Sequence, residues 1–211
     1  MTAPTNAPLA GLTVVEHAEG VAASYTGRMT QTQKLRELLK QDGLVVGAGA
    51  HDAMTAHIIE QVGFPLCFVT GAGISMTRGY ADYGLMSMSE VVSECRYIAE
   101  AVDIPVVSDA DNGYGNPLNV RRTVREFEQA GIAGIHIEDQ VWPKRCGHME
   151  GKRVVPKEEM VQKIKAALDA RRDPNFVIFA RCDALMTRRI DEEESCTSLA
   201  SSAMSVVSPP L

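Results

Sequence analysis

The sequence predicts an α/β fold of the (β/α)8 TIM-barrel type, with about the first five βα units present as an incomplete barrel. From Gln41 onward, short apolar runs alternate with longer amphipathic runs, and the apolar runs show no polar alternation. Strands of that kind, separated by helices, are typical of a parallel sheet covered on both faces. A doubly wound open sheet and a barrel both fit this alternation. Each apolar run also ends in polar residues, and a barrel best explains their convergence on one face.

The predicted elements follow one another in a regular order. A helix is predicted over residues 30–43, TQTQKLRELLKQDG, before the first strand. The five strand-like runs are residues 43–50, 65–73, 104–111, 131–139 and 175–184. The four helix-like runs between them are residues 53–63, 87–102, 117–131 and 156–172. Apolar residues recur at helical spacing within them, for example Val91, Val92, Cys95 and Ile98, or Val120, Val124 and Phe127.

Capping signals support the predicted helix boundaries. Ser87 and Glu90 have the spacing of a capping box. Asn116 precedes Pro117 as an N-cap followed by proline at the first helical position, and Gly131 follows that helix as a stop signal.

The predicted organisation has three parts. Residues 1–29 are expected to be a flexible N-terminal segment, and residues 30–184 to form the partial barrel. Residues 185–211 are charged and then rich in serine, without apolar periodicity, and are expected to form a divergent, poorly ordered tail. No sixth, seventh or eighth βα unit is found.

Composition narrows the function classes. The chain has 211 residues, of which 45% are hydrophobic and 23% charged, as in a soluble globular protein. A net charge of −6 argues against nucleic acid or an anionic membrane as partner. No apolar run is long enough to span a bilayer, and no clear presequence is found, so a cytoplasmic location is expected, with mitochondria as the alternative. The five cysteines form no C-x-x-C pair, and we expect reduced thiols.

Two acidic residues end the third strand-like run, in SDADNGYGN. Asp109 and Asp111 point the same way in an extended strand, and carboxylate oxygens at that separation suit a hard divalent cation such as Mg²⁺. The alternative is that one of them only caps the following turn.

Further acidic residues strengthen the metal interpretation. Glu138 ends the next strand-like run, about 5 Å away across adjacent parallel strands. Asp82, in the long loop after residues 65–73, is a fourth candidate. Carboxylates that meet without a cation raise one another's pKa, and a metal would relieve this repulsion. His136 lies two residues before Glu138 and is expected to be a core residue or to act behind the ligands, not as a ligand itself.

Cys146 lies in the loop WPKRCGHMEG, shortly after the strand that ends at Glu138. The adjacent cations Lys144 and Arg145 would favour its thiolate, which suits proton transfer. Zinc would need two further ligands, and the sequence offers only carboxylates and distant thiols. The alternative is an unreactive loop cysteine.

Four stretches together resemble the isocitrate lyase/phosphoenolpyruvate mutase superfamily, above all its short methylisocitrate lyase-like and dimethylmalate lyase members. They are KRCGH, SDADNGYGN, HIEDQ and FARCDA, within residues 35–184. The KRCGH loop is specific to the lyase branch. The resemblance implies a carbon–carbon lyase that cleaves a small 2-hydroxy or 2-oxo di- or tricarboxylate through an enolate. An oxaloacetate decarboxylase or hydrolase and a phosphonomutase are the alternatives within the superfamily.

The resemblance also implies roles for individual residues. Mg²⁺, or Mn²⁺ instead, would be held by Asp109 and Asp111, with Glu138 and Asp82 as further acids. The residues that would bind the substrate are Thr70, Gly71, Ala72, Gly147 and Arg181. Cys146 would be the acid/base of a mobile loop ordered by Lys144 and His148. Homo-oligomers, often tetramers, are the rule among such enzymes.

Two departures from the superfamily pattern matter. Cys182 and Asn112 stand where threonine is usual. Members also continue for about 80 to 100 residues beyond the strand that carries the arginine corresponding to Arg181. These additional residues complete the barrel. A truncated, frameshifted or alternatively spliced product is therefore expected, and an inactive fragment is the non-enzymatic alternative.

Overall fold

The computed structural model of the chain describes residues 12–14, 29–147 and 149–184. They form one six-stranded sheet with the strand order β1-β6-β5-β4-β3-β2. The strands are β1 (Leu12–Val14), β2 (Gly47–Ala50), β3 (Leu66–Val69), β4 (Val106–Asp109), β5 (Gly134–Glu138) and β6 (Val177–Arg181). The helices are α1 (Gln31–Lys40), α2 (Ala53–Val62), α3 (Gly71–Thr77), α4 (Met88–Ala101), α5 (Pro117–Gln129) and α6 (Lys157–Ala170).

Strands β2 to β6 pair in chain order and are all parallel. They correspond to the five predicted strands, so the prediction of an incomplete (β/α) barrel is confirmed. Within the described residues the sheet stays open, with β2 at one edge and β1 at the other.

Strand β1 differs from the sequence prediction, which expected a flexible segment over residues 1–29. Its three residues pair antiparallel with β6, so that Leu12 lies opposite Arg181. A strand edge presents unpaired N–H and C=O groups, and β1 satisfies those of β6. Most of residues 1–29 and all of residues 185–211 lie outside the described part of the chain, so these boundaries remain predictions.

The core lies on both faces of the sheet because side chains alternate along each strand. Val106 and Ile178 belong to the larger cluster, together with residues of α2, α4, α5 and α6. Val107 and Phe179 point to the opposite face, where Leu35 of α1 joins them. Because the helices cover the faces of the sheet, the polar residues lie at the carboxyl ends of the strands.

The predicted caps are present. Ser87 and Glu90 form a capping box at the start of α4. Asn116 caps α5, whose first residue is Pro117. Helix α3 was not predicted, because its residues Gly71 to Thr77 are rich in glycine and were assigned to a strand end and a loop.

No helix among the described residues is both long enough and apolar enough to cross a lipid bilayer.

Candidate active site

The polar residues at the ends of three neighbouring strands lie side by side. Asp109 ends β4 opposite His136 of β5. Glu138 ends β5 opposite Arg181, which ends β6. Since His136 and Glu138 are two residues apart on one strand, Asp109, Glu138 and Arg181 share the face that carries Phe179. The structure thus brings together the residues that the sequence assigned to this edge.

The turn after β4 places the second aspartate. Asp109 accepts a hydrogen bond from the backbone N–H of Asp111 at 3.0 Å, so it also caps the turn. Asp111 has a φ of 46° and Tyr114 a φ of 57°, in the left-handed region that costs energy outside glycine. This turn keeps the Asp111 carboxylate buried beside Asp109.

Lys144 lies among the carboxylates and is 3% exposed. Its Nζ is 2.5 Å from Asp82 Oδ1 and 2.8 Å from Asp111 Oδ1. Lys144 was predicted to order the loop, but its two ion pairs with Asp82 and Asp111 were not predicted. They join the loop after β3 and the turn after β4 to the loop that carries Cys146.

The pKa values of the buried ionisable groups in the site are strongly shifted. Burial, and then the charge of Asp109, raise the pKa of Asp111 to about 7, although Lys144 opposes this. Burial, and then Asp109, raise the pKa of Glu138 to about 9, against the effect of Arg181. Burial disfavours the charged form of Lys144, but Asp111 and Asp109 outweigh it and raise the pKa of the ammonium. These shifts favour a protonated Glu138 near neutral pH, because four ionised carboxylates would carry more negative charge than the two cations Lys144 and Arg181 balance.

Glu138 supports the fit of a cation to this cluster. Its Oε2 is 3.4 Å from Arg181 Nη1, while its buried Oε1 has no hydrogen-bond partner. An unpartnered buried carboxylate oxygen is costly, and a divalent cation or its bound water would satisfy it. In the described residues no three acidic, histidine or cysteine side chains already surround one point as ligands would, since Lys144 stands between two of the acids.

The turn after β3 adjoins Asp109. Thr70 caps α3 by accepting a hydrogen bond from Gly73 N–H at 3.2 Å. A Cβ atom at Gly71 would lie only 3.1 Å from Asp109 Oδ2, so the backbone approaches the carboxylate closely. The N–H groups of Gly71 and Ala72 begin the helix and have no partner inside it. They are suited to bind an anionic group beside Asp109.

The loop that carries Cys146 folds onto the site. Gly147 lies against the Arg181 guanidinium, so that a Cβ atom at this position would require the arginine side chain to shift. Lys144 and Gly147 therefore anchor the loop on both sides of Cys146, whose thiol is partly exposed. Trp142, at the start of the loop, packs on Gly84. His148 lies outside the described residues, so its predicted part in ordering the loop remains a prediction.

Two other side chains clarify the sequence predictions. His136 lies between the rings of Phe68 and Phe179, with centroids at 5.0 and 4.9 Å, and burial lowers its pKa to about 4. It is a neutral neighbour of the carboxylates in this arrangement.

Cys182 is disulfide-bonded, whereas only reduced thiols were predicted from the sequence. Spacing along the chain does not reveal which distant thiols meet.

No role was predicted for Gln140, and Asp183 was predicted only to lie among the polar residues that end the strand-like runs. Gln140 lies two residues after Glu138, Asp183 lies two residues after Arg181, and both are buried. Position at the same edge of the sheet was the available signal.

Comparisons with known proteins show the family to which the chain is similar. A family model described as phosphoenolpyruvate phosphomutase matches residues 35–200. The 2,3-dimethylmalate lyase of Eubacterium barkeri is 53% identical over 165 residues, which are 78% of this chain and 57% of that protein. A probable 2-methylisocitrate lyase of Corynebacterium glutamicum is 50% identical over 143 residues, 68% of this chain and 47% of that protein. The chain thus spans about half the length of these relatives.

Solved structures show the same fold. Oxaloacetate acetylhydrolase, in complex with the inhibitor 3,3-difluorooxalacetate, superposes with a TM-score of 0.77 at 35% identity, covering 83% of this chain and 60% of that one. Phosphonopyruvate hydrolase, in complex with oxalate and Mg²⁺, superposes with a TM-score of 0.74 at 34% identity, covering 84% and 60%.

Proposed function

The chain belongs to the phosphoenolpyruvate mutase/isocitrate lyase superfamily, and from that membership we propose that it is a carbon–carbon lyase acting on a small 2-hydroxy dicarboxylate or tricarboxylate. The substrate class of the proposal is that of 2,3-dimethylmalate and 2-methylisocitrate. The relatives that are half identical to this chain carry those substrates in their names.

One observation carries the proposal most directly. Lys144 and Gly147, on either side of Cys146, contact the acidic cluster and Arg181 respectively. We infer from these two contacts that the thiol between them lies within reach of a carboxylate substrate bound to the cluster. An unreactive loop cysteine would need no such anchoring.

The chain offers a site for a divalent cation, for which the magnesium-bound phosphonopyruvate hydrolase is a precedent. Asp109 and Asp111 would hold Mg²⁺ or Mn²⁺, with Glu138 and Asp82 nearby, and the unpartnered Glu138 Oε1 fits this role. A cation bound there would supply positive charge to the oxygen atoms of the substrate.

The residues of the chain would then bind and orient the substrate. Arg181 presents a planar guanidinium suited to pair with a carboxylate through two hydrogen bonds. The N–H groups of Gly71 and Ala72 would stabilise negative charge that develops on oxygen. The loop from Lys144 to Gly147 would exclude water from the reacting carbon.

The bond that breaks joins the carbon bearing the hydroxyl group to its neighbour. The hydroxyl would give its proton to an ionised carboxylate of the acidic cluster, its carbon would become a carbonyl, and the electron pair of the broken bond would remain on the neighbouring carbon as an enolate. Cys146 would give that carbon a proton from its thiol. For 2,3-dimethylmalate the two products are pyruvate and propionate.

A product assay tests the proposal. The 211-residue chain is incubated with Mg²⁺ and with 2,3-dimethylmalate, 2-methylisocitrate or oxaloacetate in turn. Release of pyruvate from either of the first two, abolished by EDTA, is the expected result. If only oxaloacetate reacts and it yields acetate and oxalate, the activity is that of a hydrolase instead of a lyase. If it yields pyruvate and CO₂, the activity is that of a decarboxylase. No turnover, with non-cooperative unfolding in urea, would mean that the chain is an inactive fragment.

A further inference from the structure

Gln140 follows Glu138 and Asp139 at the end of β5 and is 1% exposed. Its side-chain Oε1 accepts a hydrogen bond from the backbone N–H of Arg145 at 3.0 Å. Its Nε2 donates to the Arg145 carbonyl at 2.9 Å and to Asp183 Oδ2 at 2.7 Å. Both N–H donors and the acceptor of this amide are therefore used.

The two bonds to Arg145 hold one residue of the loop by both of its backbone polar groups. Arg145 stands between Lys144, which pairs with the acidic cluster, and Cys146. A side-chain amide that pairs with a backbone N–H and C=O fixes the orientation of that peptide more firmly than a single bond does. Because Gln140 is buried, leaving any of these groups unpaired would be costly.

The third bond connects the loop to the substrate-side arginine. Asp183 accepts from Gln140 through Oδ2 and from Arg181 Nη2 at 3.1 Å through Oδ1. Gln140 and Arg181 are thus joined through one carboxylate. The backbone of Gln140 is itself fixed, because its carbonyl accepts a hydrogen bond from Asn112 Nδ2 at 3.2 Å.

We propose that Gln140 is a positioning residue that sets where Cys146 stands relative to Arg181 and the acidic cluster. It touches neither the proposed metal site nor the substrate directly, and it acts through Arg145 on one side and Asp183 on the other. The role in turnover rests on the proposed function, whereas the role in fixing the loop does not.

Local opening of the loop is the first test. Trypsin cuts after Lys144 only when this segment leaves the site, since the Lys144 side chain is buried, whereas Arg145 is exposed. Gln140→Met removes all three bonds at similar size. Gln140→Glu keeps an acceptor for the Arg145 N–H but loses both donors and faces Asp183 with a second carboxylate. Both variants should raise the rate of cleavage after Lys144 by about tenfold or more.

A matched control separates this effect from general loss of stability. Thr32→Val removes a hydrogen bond of 2.6 Å to Asp173, between α1 and the segment before β6. It should leave cleavage after Lys144 at the rate of the unmodified chain. Fluorescence adds a second local reading, because the single tryptophan, Trp142, lies two residues after Gln140. Its emission should shift in both Gln140 variants and stay unchanged in the control.

Amide hydrogen exchange tests the proposal on the unmodified chain and does not depend on the folding of a variant. The amide hydrogen of Arg145 should exchange about a hundredfold more slowly than an unprotected amide, because it donates to a buried side chain. Free exchange at Arg145, or cleavage and emission in the Gln140 variants equal to those of the control, would overturn the proposal.

Kinetics test the consequence for turnover. With 2,3-dimethylmalate, the Gln140 variants should lose about tenfold or more in kcat while KM changes by less than about twofold, since binding groups remain in place. An equal rise in KM, with kcat retained, would contradict a positioning role. Absence of turnover in the unmodified chain would count against the proposed function, and the cleavage and exchange rates would still decide the role of Gln140.

Discussion

The Lys144 ammonium lies 2.8 Å from Asp111 Oδ1, inside the group of carboxylates suited to a divalent cation. It also lies 2.5 Å from Asp82, so one positive charge bridges two acids of the cluster. A cation bound by Asp82 and Asp111 would compete with this ammonium for the same oxygens. The loop of Cys146 and the proposed metal site are therefore linked electrostatically.

Replacing Lys144 by methionine should tighten the binding of a divalent cation. The substitution removes a positive charge next to the carboxylates at nearly constant side-chain length. A unit charge this close interacts by several kcal/mol, so we expect the Kd for Mn²⁺ to fall by about tenfold or more. Isothermal titration calorimetry or the electron paramagnetic resonance of free Mn²⁺ would measure it.

The matched control for this change is Lys152→Met, which removes the same charge from the same loop. Lys152 is also buried, but it donates to the Gly147 carbonyl and has no ion pair with the acidic cluster among the interactions described. Its Kd for Mn²⁺ should stay close to that of the unmodified chain. Equal affinities for all three proteins would show that Lys144 does not compete with the cation.

Stability of the metal-free chain should fall as the pH rises from 7 to 8. Burial and Asp109 raise the pKa of Glu138 to about 9, far above its value of about 4.3 in an unfolded chain. Between these values the folded state holds a proton that the unfolded state has released. The free energy of unfolding therefore decreases with pH, by up to about 1.4 kcal/mol per pH unit for this one group.

Urea unfolding in EDTA at both pH values measures this slope. Glu138→Gln should make the slope clearly smaller, and saturating Mg²⁺ should do the same, because the ionised carboxylate would then be stabilised. The buried thiols of Cys67 and Cys95 contribute little in this range, since they are mostly protonated in both states below pH 8. A stability that is constant or rises from pH 7 to 8 would contradict the prediction.

The sequence predicted the sheet and its acidic edge because both depend on local patterns. Apolar runs without alternation define buried parallel strands, and the residues that end such strands must meet at one edge. Asp109, Glu138 and Arg181 could be placed at this edge from position alone for this reason, whereas the role of Arg181 in binding substrate came from the family resemblance. Their register in the structure agrees with that placement.

Other features depended on contacts between distant parts of the chain. The pairing of Lys144 with Asp82 spans the loops after two different strands, and no spacing rule connects them. Gln140 could not be distinguished from any other polar residue until its partners Arg145 and Asp183 were seen. The β1 strand was missed because three residues carry too weak a pattern to predict pairing with β6.

Gly71→Ala should reduce turnover without a large loss of stability. An added Cβ would lie 3.1 Å from Asp109 Oδ2, which is tighter than ordinary contact, so the carboxylate or the turn must shift. Alanine is otherwise favourable in a helix, and Gly71 begins α3. We expect kcat/KM for 2,3-dimethylmalate to fall by about tenfold or more, because small displacements of positioned groups are costly.

Gly49→Ala provides the control for this substitution. A Cβ atom there would approach no atom more closely than Thr70 Cγ2 at 3.8 Å, which is an ordinary contact. Its kcat/KM should remain near that of the unmodified chain. If both variants lose activity equally, or if neither does, the close approach of Gly71 to Asp109 has no part in the reaction.

Cys146→Ser should abolish most turnover while leaving cation binding intact. A serine hydroxyl is a far weaker acid than a thiol and transfers a proton to carbon more slowly, so kcat should fall by about a hundredfold or more. The Kd for Mn²⁺ should change less than about twofold, because neither anchor of the loop, Lys144 or Gly147, is altered. Cys95→Ser is the control, since Cys95 contacts Ser108 Oγ at 3.2 Å on the other side of β4, where a hydroxyl can take the place of the thiol. Turnover retained in Cys146→Ser, or lost equally in both variants, would remove Cys146 from the proposed mechanism.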